Sequence, residues 1–114
     1  MLKTKVHKLN MDTCIYNASG VYCKTKNELN LLSNSQTNVC AVLSKSCTLE
    51  SRLGNSEPRY WDCNNLSINS SGLPNLGYAF YNNYSYKYKF STFNKPYIMS
   101  IAGLTENDNI YMIE

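Results

Sequence analysis

Val39-Cys40-Ala41-Val42-Leu43 is five apolar residues in a row with no polar face. So short and unbroken a run must be covered on both sides, as a strand inside a parallel, two-sided sheet is. Pro96-Tyr97-Ile98-Met99-Ser100-Ile101-Ala102 reads the same way, and Asp12 to Ala18 gives a weaker strand that ends at Ser19-Gly20. Helical signals lie between them. Thr25-Lys26-Asn27-Glu28 is a capping box, and Leu29, Leu32 and Ser33 continue it as a stripe, which predicts a helix over 26–35. Leu76, Ala79, Phe80, Tyr84 and Tyr88 recur every three or four residues and predict a helix from Leu76 to about Lys89, with Asn75 as its N-cap. Its tyrosines read as packing. Thr105-Glu106-Asn107-Asp108 resembles a third helix start, with the acidic residue in the first turn. Strands alternating with helices call for right-handed crossovers onto parallel neighbours, an α/β fold. Residues 46–75, with Gly54, Pro58, Gly72 and Pro74, read as a long irregular excursion, and such loops are usually functional.

At 114 residues, 43% hydrophobic and 17% charged, the chain has material for one modest domain over 1–114. No run approaches the roughly 18 apolar residues of a membrane span, and Met1-Leu2-Lys3-Thr4-Lys5 is followed by no apolar leader core. The expectation is a cytoplasmic protein with no membrane partner. The net charge of +3 is scattered, so nucleic acid is not the expected partner, and Lys3, Lys5 and Lys8 read as a solvated face. The five cysteines form no Cys-x-x-Cys pair and His7 is the only histidine, so no metal site is expected and the thiols read as reduced, several of them buried. One histidine also removes any Ser-His-Asp or Cys-His arrangement from within the chain. Asparagine occurs sixteen times, a bias that codon supply in an AT-rich genome explains without any mechanism.

Ligands of parallel α/β folds gather at the carboxyl ends of strands. After the first strand, Asn17-Ala18-Ser19-Gly20 is small enough to let a flat ligand lie on the backbone, though an ordinary tight turn would look the same. After the second comes Ser44-Lys45-Ser46-Cys47-Thr48. An ammonium at that position either meets an anion or a ring that gains negative charge, or snorkels to water. In the excursion, Ser67-Ile68-Asn69-Ser70-Ser71-Gly72-Leu73-Pro74-Asn75 combines amide side chains with a fixed turn, suited to the edges of a small planar ligand, or simply to a capped turn.

Taken in order, Asn17–Val21, Ser44–Glu50, Gly54-Asn55 with Pro58-Arg59-Tyr60, and Ser67–Gly77 closely resemble the first third of dihydroorotate dehydrogenases, in particular the soluble, fumarate-linked class 1A group. The similarity runs from about Lys8 to the end. It implies the N-terminal part of an eight-stranded β/α (TIM) barrel, about three of its strand-helix units, in an enzyme of pyrimidine synthesis. That enzyme oxidises dihydroorotate to orotate with FMN as hydride acceptor and fumarate as reoxidant, and its full-length form is a homodimer. By motif, Ala18, Ser19 and Gly20 would lie against the flavin, Ser46 would bond its edge, and Lys45 would reach both flavin and orotate. Asn69, Ser71, Gly72 and Leu73 would hold the substrate.

The family's base is a cysteine in an Asn-x-Ser-Cys-Pro-Asn segment, and its FMN phosphate is held by later glycine-rich loops; neither occurs in these residues, so no catalytic residue is assigned here. The resemblance therefore implies a fragment, inactive alone. Ser71 replaces the family's usual Met, and Ser56 a proline of the Gly-Asn-Pro-x-Pro-Arg run. Two other readings are a truncated, non-enzymatic relic of such a gene and the NAD-linked class with an iron-sulfur partner subunit, against which the Ser67–Asn75 run argues.

Overall fold

The structure, a computed structural model, describes residues 3–20 and 22–114; Met1, Leu2 and Val21, which belong to the basic N-terminus and the Asn17–Val21 segment above, lie outside the described residues. Along the chain come β1 (Thr4–Val6), β2 (Leu9–Met11), α1 (Lys26–Asn34), β3 (Val42–Leu43), β4 (Tyr60–Cys63), β5 (Leu66–Asn69), α2 (Tyr78–Tyr88), β6 (Tyr97–Ile98) and α3 (Glu106–Ile113).

The two apolar runs pair in parallel. Val42 stands opposite Tyr97 and Leu43 opposite Ile98, and a further parallel bridge joins Cys47 to Ile101. The expected burial of both faces also holds. Val42 is fully buried in a core with Cys23, Leu29, Cys47, Tyr81, Tyr84 and Met112, while its neighbours Cys40 and Ala41 form a second cluster with Met11, backed by Ile98. Regular strand geometry is shorter than the apolar runs; in the second, it stops at Ile98, and Ser100 N donates to the Ser44 side-chain Oγ at 3.0 Å.

The helices follow their caps. Thr25 and Thr105 each accept from the third helical amide, and Glu28 and Asp108 each accept from the cap amide in return. For α2, Asn75 is not the N-cap. Gly77 holds that place with φ 82 and no side-chain cap, and Asn75 Oδ1 accepts from Gly77 N at 2.8 Å instead. A left-handed residue has to precede this helix, and glycine adopts that conformation without the cost a side chain adds. The tyrosines of α2 do pack: Tyr84, Tyr88 and Tyr97 have ring centroids 5.3–5.8 Å apart.

Three elements differ from expectation. Residues 12–18 form no strand; Cys40 N donates to Ile15 O at 2.8 Å, and beyond that Asn17 supplies its side chain where a strand would supply backbone. Before that segment β1 and β2 form an antiparallel hairpin, on which Lys3, Lys5 and Lys8 are exposed. The excursion is not wholly irregular either: β4 and β5 pair antiparallel, Tyr60 opposite Asn69 through Cys63 opposite Leu66, around a turn at Asn64 with φ 49. Tyr60, Trp61, Leu66 and Ile68 are exposed on this hairpin. Among the described residues the α/β elements form no closed barrel, and no helix is long and apolar enough to cross a membrane.

Candidate functional site

Lys45 sits where the parallel ladder is interrupted. Ser44 N donates to Ile98 O and Cys47 N to Ser100 O, both at 3.0 Å, but Lys45 N donates to Cys23 O at 3.0 Å. Cys23 can receive it because it adopts φ 63, and Tyr81, fully buried, ties down the next residue by donating its hydroxyl to Lys24 O at 2.8 Å. The Lys45 side chain does not snorkel: the residue is 6% exposed. Among the described residues the one ion pair is Arg59 with Glu57, so the Lys45 ammonium has no carboxylate partner there. Burial, and after it the Lys24 ammonium, hold its pKa below the ordinary lysine value. An enclosed cation without a counter-ion gains most from an incoming anion.

Beside it lies the first turn. Asn17 uses both ends of its amide on Leu43, donating from Nδ2 to the carbonyl at 2.7 Å and accepting at Oδ1 from the amide at 2.8 Å. The pair of bonds mimics a neighbouring strand and sets Ala18-Ser19-Gly20 against the end of β3. Ser46 Oγ then donates to Ser19 Oγ at 3.0 Å and lies 2.8 Å from Ser100 Oγ. Ala18 and Gly20 are exposed, and a Cβ built on Gly20 meets nothing within 4 Å. The result is an exposed run of small residues bonded through Ser19 to Ser46, the residue after Lys45.

The excursion is tied together by its own bonds. Arg52 and Asn75 exchange backbone bonds of 2.9 and 3.0 Å, Arg52 Nε donates to Gly72 O at 3.1 Å, and Asn55 N donates to Ser71 O at 3.1 Å. Asn55 Nδ2 adds bonds to Ser70 O at 3.1 Å and Ser70 Oγ at 2.8 Å. Together they fold 70–73 into a turn with Gly72 at φ 70 and Leu73 at φ 55.

Ser19 and Ser46 are thus brought together at the residue after Lys45, and Gly72 and Leu73 are fixed in a turn that Asn75 ties to Thr48. Asn69 is placed differently. It ends β5, is exposed, and lines a cavity of about 110 Å³ with Pro58, Arg59, Tyr60, Trp61, Ile68 and Ser70, to which Lys45 does not contribute. Ser71 is exposed as well. Sequence reasoning missed Ser100, which was within reach of the rule that ligands meet strand ends, since it follows β6; Asn17 and Asn75 lie inside the motifs quoted above, but nothing local marks their bonds to Leu43 and Leu73.

The five thiols are free, Cys14 and Cys63 exposed and Cys23, Cys40 and Cys47 buried. Burial, and after it the Glu28 carboxylate, pushes the Cys23 thiol up from 9.0 to about 11; burial raises Cys47 in the same direction. Alkylation of the native chain at pH 8 is therefore expected to modify Cys14 and Cys63 rapidly and the other three only after unfolding. A raised native pKa means the fold favours the protonated thiol. The stability this confers is complete below the unfolded value of 9.0 and is lost as pH rises toward about 11. Urea unfolding of the native chain and a Cys23→Ala variant at pH 8 and pH 10.5 checks this, since the other alkaline groups are common to both; an equal loss in the two proteins would refute it.

The family described as dihydroorotate dehydrogenase matches residues 1–114. Relatives carrying the name dihydroorotate dehydrogenase A (fumarate) include one from Streptococcus agalactiae serotype Ia, 38% identical over 107 residues, 94% of this chain and 34% of the relative. Another, from Streptococcus pyogenes serotype M3, is 40% identical over 112 residues, covering 96% and 35%; one from serotype M1 is 41% identical over 109 residues, covering 94% and 34%. The chain spans about a third of the length of the curated relatives it matches. The match along the whole sequence places the chain in the dihydroorotate dehydrogenase family.

Proposed function

We infer that these residues form the flavin-facing and part of the substrate-facing wall of an FMN-dependent enzyme that oxidises dihydroorotate to orotate, with fumarate as the electron acceptor. The complete protein on this reading is a TIM barrel acting as a cytoplasmic homodimer in pyrimidine synthesis. The observation that carries it is Lys45, 6% exposed and lacking an ionic partner among the described residues, followed in the chain by Ser46, whose hydroxyl meets those of Ser19 and Ser100.

The residues fit FMN. Gly20 leaves open the space a Cβ would fill, so a flat ring can approach the backbone of 18–20, and Ser46 presents its hydroxyl at the border of that floor. FMN, when bound, supplies the acceptor for the substrate hydride. The Lys45 ammonium favours whatever negative charge develops near it, and being already desolvated it need not shed water as that charge appears. Gly72 and Leu73 offer backbone groups for a small planar acid, and Asn69 an amide at the end of β5. The proton-removing base is not assigned to any of these residues. Cys47 is buried with a raised pKa and faces the core, so it is unsuited to that role.

The test is a chimera in which this chain replaces the matching first third of the S. pyogenes serotype M1 relative. It should be yellow with bound FMN and bleach on anaerobic addition of dihydroorotate, and a colourless folded product would refute the reading. Gly20→Ala probes the floor itself, since the added methyl strikes nothing in the protein. FMN affinity should fall about tenfold with the melting temperature unchanged; unaltered affinity would remove 18–20 from the flavin contact.

A further inference from the structure

Leu73 is the one conformationally costly residue in the substrate-facing turn, and its carbonyl is held by a single side chain. It is a leucine at φ 55, a region that residues with a bulky side chain avoid, and such geometry persists only where the surroundings impose it. Asn75, 1% exposed, donates from Nδ2 to Leu73 O at 2.9 Å and to Thr48 Oγ1 at 3.0 Å. Its Oδ1 accepts from Gly77 N at 2.8 Å and from Thr48 N at 3.3 Å. One buried amide thus links three places: the segment three residues beyond Lys45, the start of α2, and the strained turn.

We propose that Asn75 is a positioning residue, whose Nδ2 fixes Leu73 in its left-handed conformation at a set place relative to Lys45 and so shapes the pocket for the planar acid. This deepens the substrate reading above and rests on it. Oδ1 serves Thr48 N and α2, whereas Nδ2 is shared between Thr48 Oγ1 and the Leu73 carbonyl of the turn, so only the part of its loss that depends on Leu73 reports on the turn. Asn75→Asp keeps an acceptor for Thr48 N and Gly77 N but leaves the Leu73 carbonyl without its donor. Leu73→Gly removes the cost of the left-handed conformation.

The experiment is a double-mutant cycle in the 114-residue chain, read by melting temperature and by the three-bond HN–Hα coupling of residue 73. Asn75→Asp alone should lower the melting temperature and move the Leu73 coupling toward the extended value. In the Leu73→Gly background the same substitution should cost clearly less. Equal losses in both backgrounds, or a Leu73 coupling unchanged by Asn75→Asp, would overturn the proposal. Should Asn75→Asp fail to fold with Leu73 present, folding of the double variant supports the coupling, and failure of both overturns it, because Asn75 would then serve the fold at large. In the chimera, Asn75→Asp should raise KM for dihydroorotate about tenfold while kcat and FMN content hold. A parallel loss of FMN would instead mark a general structural role. The cycle reads backbone geometry without ligand, so a chimera that ignores dihydroorotate would sink the substrate reading and leave the coupling between Asn75 and Leu73 standing.

Discussion

Replacing Lys45 by Met is expected to slow flavin reduction in the chimera about a hundredfold, roughly 3 kcal/mol of lost charge stabilisation, and to leave the protein more stable than before. The two effects have one cause. Lys45 is buried without a counter-ion among the described residues, and its pKa is lowered first by that burial and then by Lys24. The native fold therefore disfavours the charged form. Below the lowered native pKa the penalty is full, and it disappears as pH rises past the unfolded value of 10.5. Methionine fills a similar volume with no charge to desolvate, so stability should rise by about 1 kcal/mol at pH 7 and by little at pH 10.5. Chemical denaturation of both proteins at the two pH values measures this, and stopped-flow bleaching measures the rate. A Lys45→Met variant that is less stable at pH 7 would show that an undetected partner satisfies the ammonium, and one that reduces flavin at the original rate would remove Lys45 from the chemistry. Cys23 and Cys47 titrate in the same alkaline range but are common to both proteins, so their contribution cancels in the comparison.

The central layer was legible because short unbroken apolar runs leave little choice: Val42 and Ala41 had to be covered on opposite faces, and the parallel partner was the other such run. The capping boxes at Thr25 and Thr105 were legible because they are local. What escaped was side chain standing in for backbone. Asn17 supplies the ladder bonds that a strand over 12–18 would have supplied, so its segment carries an extended role without strand pairing. Asn75 looks like a helix cap and instead binds the glycine that is the cap. An asparagine-rich composition reads as codon bias, and composition cannot separate an asparagine on the surface from one that ties two loops together. The β4–β5 hairpin escaped for another reason. Tyr60 to Asn69 alternates around Asn64-Asn65, a recognisable turn, but the proline and glycines flanking it suggest a loop throughout. Of the proposed site, Lys45 and Ser46 come just after β3 as expected, Ala18, Ser19 and Gly20 follow no strand, and the role expected of Asn69 is one that the position of its hairpin does not by itself provide.

Gly72→Ala tests that turn most directly, with KM for dihydroorotate expected to rise about a hundredfold in the chimera and FMN content to hold. Gly72 adopts φ 70, and a Cβ there would meet the Asn55 carboxamide and, at 2.6 Å, the Asn55 backbone nitrogen. The side chain could swing aside, but the backbone cannot. Asn55 N is committed to Ser71 O, and Arg52 Nε to Gly72 O, so relieving the clash means opening the bonds that hold 70–73 against 52–55. The strain of a left-handed alanine adds about 1 kcal/mol. These costs fall on an excursion outside the core of Leu29, Val42, Tyr81 and Met112, so the turn should yield before the domain does. Gly54→Ala attacks the same junction from the other side, where its Cβ would lie 2.5 Å from Ser71 O and 3.2 Å from Pro74 Cβ, and should give the same phenotype. Gly20→Ala is the opposite case, a methyl in open space that should touch FMN affinity alone. If Gly72→Ala instead lowered FMN content and left KM unchanged, the turn would belong to the flavin wall, and the substrate would have to be held by residues other than Gly72 and Leu73.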